Sequence, residues 1–567
     1  MIVLGIHCGH DSSAAIIVDG EILADVSEER FNRVKHSNNI PLKSIDYCLD
    51  YAGLLNINDV DYIAFSWKSA PPQIASMFGL DVAHARKGVV ERLKKLSGRN
   101  RIKMPVYYDH YHLKNPNKFI PVEHHLAHAA SAYYTQGSSE KCLVFTIDGS
   151  GDEVSTAVWE AEGTNIKPLK KYYKEASLGW SYSIVTEGLH YWHGDGEGTV
   201  MGLAPYGDPD KCTGVLDKYF PQFDGKDLTK KAEMGDAYYW AESGFVHYHF
   251  EEAWEVEKLV EKYGAENIAA EAQRKLEENI IAFIKGWCVD KDISSVACAG
   301  GVFLNVKLNQ RIWNGRGDII KSQSIFPNSG DSGLAVGAAL HVYHKHNEYS
   351  SGPIEHLYLG PEYSDEEIET LLKSRMLEYE KLDNPAKTAA ELLAKNKVIG
   401  WFQGRMESGP RSLGSRSILM SPLKQENKDY VNARVKFREG FRPFCPSLLW
   451  EKRDDYLKDY RDEYFMITSF EVKEEKRASV PAVVHVDNTL RPQMVKQEQN
   501  QLYWNLINEF GSITGEYIVL NTSLNIKGEP MICAPREALR CFYDSGLDAL
   551  IMGCYLLKKP TDLDAGV

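Results

Sequence analysis

One arrangement occurs twice in this sequence, in well-separated places, and it restricts the fold more than any other feature. Near the start, Ile2 to Ile6 is an apolar run followed by a polar glycine loop, Gly9-His10-Asp11-Ser12-Ser13. A second apolar run, Ala14 to Val18, a turn at Asp19-Gly20 and a third run come next. The order returns at Leu143 to Ile147, with the loop Asp148-Gly149-Ser150-Gly151-Asp152, the run Ser155 to Glu160 and a turn at Gly163. Short apolar runs bounded by Gly and Asp read as strands joined by tight turns. A repeat of strand, loop and strand predicts a duplicated nucleotide-binding half-domain, with both loops able to present backbone N–H groups to an anion.

The remainder of the chain alternates strands and helices, which predicts an α/β fold. Pro41 to Leu54 and Val122 to Tyr134 read as helices, as does Ile268 to Cys288. Val296 to Val302 reads as a buried strand running into Gly300-Gly301, and Asp331 to His344 as a closely packed helix. Ser350-Ser351-Gly352-Pro353 is a break. Helices are predicted after it at Asp365 to Leu372 and Pro385 to Ala394, and strands at Val398 to Phe402 and Tyr517 to Leu520. At 567 residues the chain exceeds one compact domain. The break divides it into residues 1–355 and 356–567.

Charge and cysteine usage exclude several function classes. A formal charge of -14 argues against a nucleic-acid partner, which needs a basic footprint. Nothing in the sequence approaches a signal-peptide core or a membrane span. The 10 cysteines are scattered, with none in a paired zinc-binding spacing, which predicts reduced thiols in a cytoplasm.

Against that acidic background, three segments carry chemistry. If Val122 to Tyr134 is helical, His124 and His128 lie one turn apart on one face and His125 points elsewhere. Asp148 after a strand and Asp331 before a helix complete a nitrogen and oxygen ligand set suited to iron, zinc or manganese. The loop Gly404 to Ser417 places Arg411 and Arg416 among glycines, and basic residues continue through Arg434, Lys436, Arg438 and Arg442. Phe437, Phe441, Pro443 and Phe444 are interleaved with them, which predicts a walled pocket for a small phosphorylated ligand. A polar loop, Leu520 to Pro530, is expected to offer amides and hydroxyls to oxygen atoms. The Gly/Pro-dense stretch Glu197 to Gly207 has no chemistry readable from its residues alone.

Taken in order, these segments resemble the NodU/CmcH family of O-carbamoyltransferases. The likeness rests on Gly9 to Ala15, the His124/His128 helix, Met201-Gly202-Leu203-Ala204-Pro205-Tyr206-Gly207 and Gly300 to Asn305. It continues through Gly409 to Ser417, Phe441-Arg442-Pro443-Phe444 and Asn521-Thr522-Ser523, and so covers nearly the whole chain. The resemblance implies an ASKHA-type, TsaD-like carbamoyl-transfer domain at 1–355 and an α+β YrdC-like domain at 356–567 that forms carbamoyl adenylate. It implies carbamoyl phosphate and ATP with Mg as partners, and a hydroxyl of a small molecule (a sugar, antibiotic or polysaccharide precursor) as acceptor. A homodimer is compatible with it.

Residue by residue, the resemblance implies His124, His128, Asp148 and Asp331 as ligands of a divalent transition metal, iron foremost. It places Lys436, Arg442, Arg491 and Ser523 on carbamoyl phosphate, with Lys436 and Arg442 counted as catalytic. It places Arg411, Arg416 and Asn521 on ATP phosphates, and Gly300, Gly301 and Asn305 near the adenylate. Thr199 stands where the family commonly has Lys, which removes any phosphate contact expected there. His10 is the expected base for the acceptor hydroxyl, oriented by Asp11. Three readings compete: tRNA threonylcarbamoylation, a maturation factor of the HypF type and a nucleotide or sugar sensor without turnover. The acidic charge weighs against the first and the lack of paired-cysteine motifs against the second. The Arg/Lys set weighs against the third.

Overall fold

The computed structural model describes residues 1–78, 80, 111–235, 238–242, 245–349 and 352–559. The duplication expected from the two loops is present as two sheets with one topology. The first is built from β1 (Ile2–His7), β2 (Ser13–Val18), β3 (Glu21–Ser27), β4 (Tyr62–Phe65) and β5 (Phe119–Pro121), in the order β3-β2-β1-β4-β5. The second is built from β6 (Cys142–Gly151), β7 (Val154–Glu162), β8 (Asn165–Tyr173), β9 (Ser295–Ala299) and β10 (Ser322–Ile325), in the matching order β8-β7-β6-β9-β10. In each, the first three strands are antiparallel and the last two join in parallel.

Each half ends in a crossover helix, His124–Tyr134 after β5 and Leu334–His344 after β10. These two helices are packed between the sheets. Alternate residues of β1 and β2 (Val3, Ala15, Ile17) and of the second sheet (Val144, Ala157, Trp159) share a core with them. The other face of β1 and β2 (Leu4, Ile6, Ala14, Ile16) packs on the Leu42–Tyr51 helix. Burial on both faces is why the strands read as continuous apolar runs rather than alternating ones.

Small residues set the spacing of the helix pair. A Cβ on Gly337 would lie 1.9 Å from the carbonyl oxygen of Ala127, and one on Gly5 1.9 Å from that of Ala335. Backbone therefore meets backbone where the helices cross and where the second helix meets β1.

The C-terminal part is built on an eight-stranded mixed sheet, with Ile399–Phe402, Arg416–Met420, Ile518–Ser523 and Cys445–Leu449 adjacent at its centre. Ile399, Trp401, Leu419 and Val519 cover one face, while Phe402, Ile418 and Leu520 cover the other. The final apolar stretch, Ala549 onward, is a hairpin of two strands. The segment Asn521-Thr522-Ser523, expected as a loop, completes the strand Ile518–Ser523. Its polar side chains sit on a strand because they meet partners from adjoining segments.

Basic side chains donating to carbonyls join the two parts. Arg30 reaches Gly409 O at 2.9 Å, Arg33 reaches Met531 O at 2.9 Å, and Arg405 reaches Leu23 O at 3.0 Å. Lys307 pairs with Asp487 at 2.5 Å. Among the described residues, no helix is long and apolar enough to cross a membrane.

Gly337→Ala should destabilise the protein by about 1–3 kcal/mol, because the new methyl has no space at a backbone contact. Urea unfolding checks this against Gly352→Ala, where a Cβ meets nothing within 4 Å.

Candidate active site and metal centre

The helix His124–Tyr134 starts at His124, whose backbone N–H donates to Asp152 at 2.9 Å. One turn later His128 faces the same way. His124 Nε2 lies 3.6 Å from both Asp148 Oδ2 and Asp331 Oδ1. His128 Nε2 lies 3.1 Å and 3.5 Å from the same two atoms. The expected four residues thus converge, two from the first crossover helix, one from the irregular end of β6 (which runs through most of the segment expected as the second loop) and one from just before the second crossover helix.

The donor set fits a divalent metal. Tetrahedral ligands at bonds of about 2.1 Å stand about 3.4 Å apart, close to the separations found. Both ring nitrogens of His124 are buried with no hydrogen-bond partner, and an ion held at Nε2 would give that nitrogen a partner. A Cβ on Gly151 would lie 2.1 Å from the His124 ring, so a glycine is needed beneath it. Burial alone would lower the pKa of His128, yet its hydrogen bonds to Asp148 and Asp331 and their charges push it up to about 9. Desolvation would raise the pKa of the half-buried Asp148, but the two histidines hold it well below the usual carboxylate range.

His125 points away, with Nδ1 2.9 Å from Thr146 Oγ1 and Nε2 2.9 Å from the Val154 carbonyl oxygen, as a satisfied core histidine. His7, at the end of β1, stands behind this group and was not expected. Its Nε2 is 3.0 Å from His10 O and 3.8 Å from Asp331, and burial lowers its pKa to about 4. The sequence signal for it is a polar residue at the end of an otherwise apolar strand.

Gly300 and Gly301 lie against this centre. Gly300 has φ +105, and a Cβ there would meet Ile147 O at 2.2 Å, while one on Gly301 would sit 3.0 Å from Asp148 Oδ1. Asn305 caps the next helix by accepting from Leu308 N at 3.0 Å, and its amide pairs with Gln273. Its side chain thus serves the helix start, and the expected adenylate contact gains no support from it.

In the first loop His10 Nδ1 lies 2.9 Å from Asp11 Oδ2, the pairing expected from adjacency. Asp11 adopts a left-handed φ of 61, a strained conformation for a non-glycine residue. Its other oxygen, Oδ1, is 2.8 Å from Nδ1 of His36, which sequence reasoning missed because His36 stands alone in a later loop. A Cβ on Gly194 would sit 3.1 Å from His10 Nε2, so the loop carrying Gly194 passes directly over that nitrogen.

The second site lies in the C-terminal part. A π-helical turn, Val431–Lys436, followed by Phe437 in a left-handed conformation, presents Lys436, and such turns recur at functional sites. Lys436 Nζ is enclosed by Ser523 O at 2.9 Å, Ser523 Oγ at 3.2 Å and Asn525 Oδ1 at 2.5 Å. Burial, with Arg438, Arg442 and Lys35 nearby, drives its pKa well below the lysine range. Arg411 falls to about 9 through burial and the charges of Arg491 and Arg442, and its Nε is buried without a partner. Arg438 also falls to about 9, by burial and then Arg442. Arg491 contacts Cys445 Sγ at 2.7 Å. Among the described residues, the carboxylate paired with these five cations is Glu439, 3.9 Å from Arg442. So much unbalanced positive charge under burial calls for an anion.

Two expectations fail here for a physical reason. Arg416 is fully buried beneath Phe402, and its guanidinium donates to the carbonyls of Gln403 at 2.8 Å, Gly404 at 3.0 Å and Pro361 at 3.1 Å. It ties the loop together, and with its guanidinium on backbone carbonyls the expected contact to ATP phosphates gains no support. Asn521 is likewise enclosed, bonded to Ser412 and Ser447. Glu407, also unforeseen, accepts from the backbone N–H groups of Leu413, Ser415 and Arg416 at 2.7, 2.7 and 3.1 Å and so shapes the arginine loop.

Between the two parts lies a small cleft of about 40 Å³ lined by Met201, Gly202, Lys307, Phe444, His485 and Arg491. The Glu197–Leu203 helix supplies one wall, which gives the Gly/Pro-dense stretch its place. Thr199 on that helix is buried.

Known proteins resemble this chain in sequence. The family described as Carbamoyltransferase N-terminus matches residues 2–340, and Carbamoyltransferase C-terminus matches residues 390–559. The nodulation protein NolNO of Sinorhizobium fredii is 36% identical over 97% of this chain and 79% of its own length. An uncharacterized Synechocystis protein is 32% identical over 97% of this chain and 95% of its own. Among solved structures, the activator of a 2-hydroxyisocaproyl-CoA dehydratase from Clostridium difficile overlays with a TM-score of 0.31 and 12% identity, covering 61% of this chain and 96% of that one. That overlay is too loose to carry an argument.

His124→Ala and His128→Ala should each remove bound transition metal, read by elemental analysis. Because His128 holds a proton up to about pH 9 before metal arrives, binding at pH 7 should release protons and weaken as pH falls. Calorimetry in buffers of different ionisation enthalpy measures that release.

Proposed function

The chain belongs to the carbamoyltransferase family, and from that premise we propose that it is an ATP-dependent O-carbamoyltransferase acting on the hydroxyl of a small molecule such as a sugar, an antibiotic or a polysaccharide precursor. The observation that carries this reading is the group Lys436, Arg438, Arg442, Arg491 and Arg411. It is nearly devoid of counter-charge, and it approaches the N-terminal part at Lys35 and Asp195. Lys35 is close enough to Lys436 to depress its basicity, and Asp195 acts on Arg442 from the N-terminal part.

On this reading residues 356–567 are the YrdC-like activating domain. Lys436, Arg442, Arg491 and Ser523 hold carbamoyl phosphate, whose compact dianion suits several cations and few apolar contacts. Arg411, with its unsatisfied Nε, takes ATP phosphates in place of Arg416 and Asn521. One water is consumed as phosphate leaves carbamoyl phosphate and pyrophosphate leaves ATP, and carbamoyl adenylate is formed.

Residues 1–355 are the ASKHA-type, TsaD-like transfer domain. The glycine pair Gly300-Gly301 lets the adenylate approach Asp148. A metal held by His124, His128, Asp148 and Asp331 would supply Lewis-acid stabilisation of developing negative charge. His10, oriented by Asp11, takes the proton of the acceptor hydroxyl as its oxygen bonds to the carbamoyl carbon and AMP departs.

Supplied with carbamoyl phosphate, ATP and Mg, the protein should release AMP and pyrophosphate. Lys436→Ala or Arg442→Ala should cut that release by at least about a hundredfold, and cleavage at the native rate would refute their assignment. His10→Ala should slow transfer to an alcohol by about 10²–10⁴-fold while AMP formation continues. Chromatography of nucleotides and of carbamoylated acceptor reads both steps.

A further inference from the structure

His36 is bound more tightly into the first loop than a solvated loop residue would be. Its backbone N–H donates to Glu29 Oε2 at 2.9 Å, and its Nδ1 lies 2.8 Å from Asp11 Oδ1. Its Nε2 is 3.7 Å from Asp195 Oδ1. The rings of His36 and His10 stack with centroids 4.9 Å apart and planes 18° from parallel. Asp11 therefore serves two imidazoles, one on each oxygen.

The groups facing these rings fix their charges. His36 is met by Asp11 from the first loop, Asp195 from the loop preceding the Glu197–Leu203 helix, and Glu29 from the turn after β3, with Lys35 beside it. His10 is met by Asp11, by His36 and, farther off, by Asp331. Burial would favour neutral His36, but Asp11 and Asp195 outweigh it and push its pKa up to about 10. His36 is thus a cation at neutral pH, and Asp11 is a carboxylate already neutralised on one side.

We infer that His36 is a positioning residue for the acceptor step, completing a His10–Asp11–His36 relay in which its charge restrains Asp11 and keeps His10 basic enough to accept a proton but not locked as an ion pair. This rests on the reading of His10 as the acceptor base. The loop that brings Asp195 to His36 also lays Gly194 over His10 Nε2. Beyond His36, Asp195 pairs with Lys35 at 2.5 Å. Charges therefore alternate from Asp11 through His36 and Asp195 to Lys35, which approaches the second site. No bond is made or broken at His36. The proton taken from the acceptor stays on His10 Nε2.

The test compares His36→Gln, which keeps a donor toward Asp11 without charge, and His36→Ala with the native protein and with His10→Ala. Rates of carbamoyl transfer and of AMP formation are measured across pH. With Asp11 no longer neutralised, His10 should hold its proton to higher pH. The acid limb of the transfer rate should then move up by about one pH unit in His36→Gln. At neutral pH, kcat for transfer should fall about tenfold or more, far beyond any change in AMP formation, with KM for the acceptor shifting less than about twofold.

An unmoved acid limb, or equal losses in both activities, would overturn the inference in favour of a purely structural histidine. So would loss of a second equivalent of divalent metal in His36→Gln, since ligand atoms of His10, Asp11 and His36 lie within 4.8 Å of one another. Unimpaired transfer by His10→Ala would instead overturn the base assignment itself, which separates that failure from the failure of His36.

Discussion

The close contact of the two crossover helices is what the candidate centre depends on. Backbone meets backbone at Gly337 and Ala127, and the helices are held there between two sheets of identical topology. His124 and His128 lie on the first helix, and Asp331 lies just before the second. Their mutual placement is therefore set by helix packing rather than by a flexible loop. Asp148 lies in the irregular end of β6, at the place in the second sheet that corresponds to the His10–Asp11 loop after β1 in the first. Duplication has given these two segments one position in the fold and two chemistries, a ligand in one and a His–Asp pair in the other.

The cationic cleft is organised differently. Its shape comes from carboxylates and amides that never face a ligand. Glu407 gathers the N–H groups of the arginine loop, Asn521 braces Ser412, and Arg416 knots the loop to neighbouring carbonyls. Asp25, buried between the two parts with Ser408 and Asn328 on one oxygen, has its pKa pushed up to about 7 by that burial. It links the arginine loop to the segment that leads into Asp331. Positioning in the cleft thus reaches across to the other centre through buried polar contacts.

Much of this was legible in the residues. Short apolar runs with glycine-rich turns gave the duplication, and helical spacing gave the His124/His128 pair. What escaped was long-range. His36, Asp195 and Glu407 are ordinary polar residues in sequence, and only the chain's path brings them to Asp11 and to the arginine loop. Arg416 misled because an arginine among glycines looks identical whether it faces a phosphate or a ring of backbone carbonyls. Asn521 misled for the related reason that a polar triplet ending a strand resembles a loop. In both cases burial decides the role, and burial is a tertiary property.

Lys436 shows what such enclosure implies. Several oxygens cradle its amine while neighbouring guanidinium groups oppose its charge, so the side chain gives up a proton far more readily than a surface lysine. A doubly negative guest would offset the guanidinium charges that oppose the amine and so strengthen its hold on its proton. The anion and the ammonium would then stabilise one another, each making the other's burial less costly.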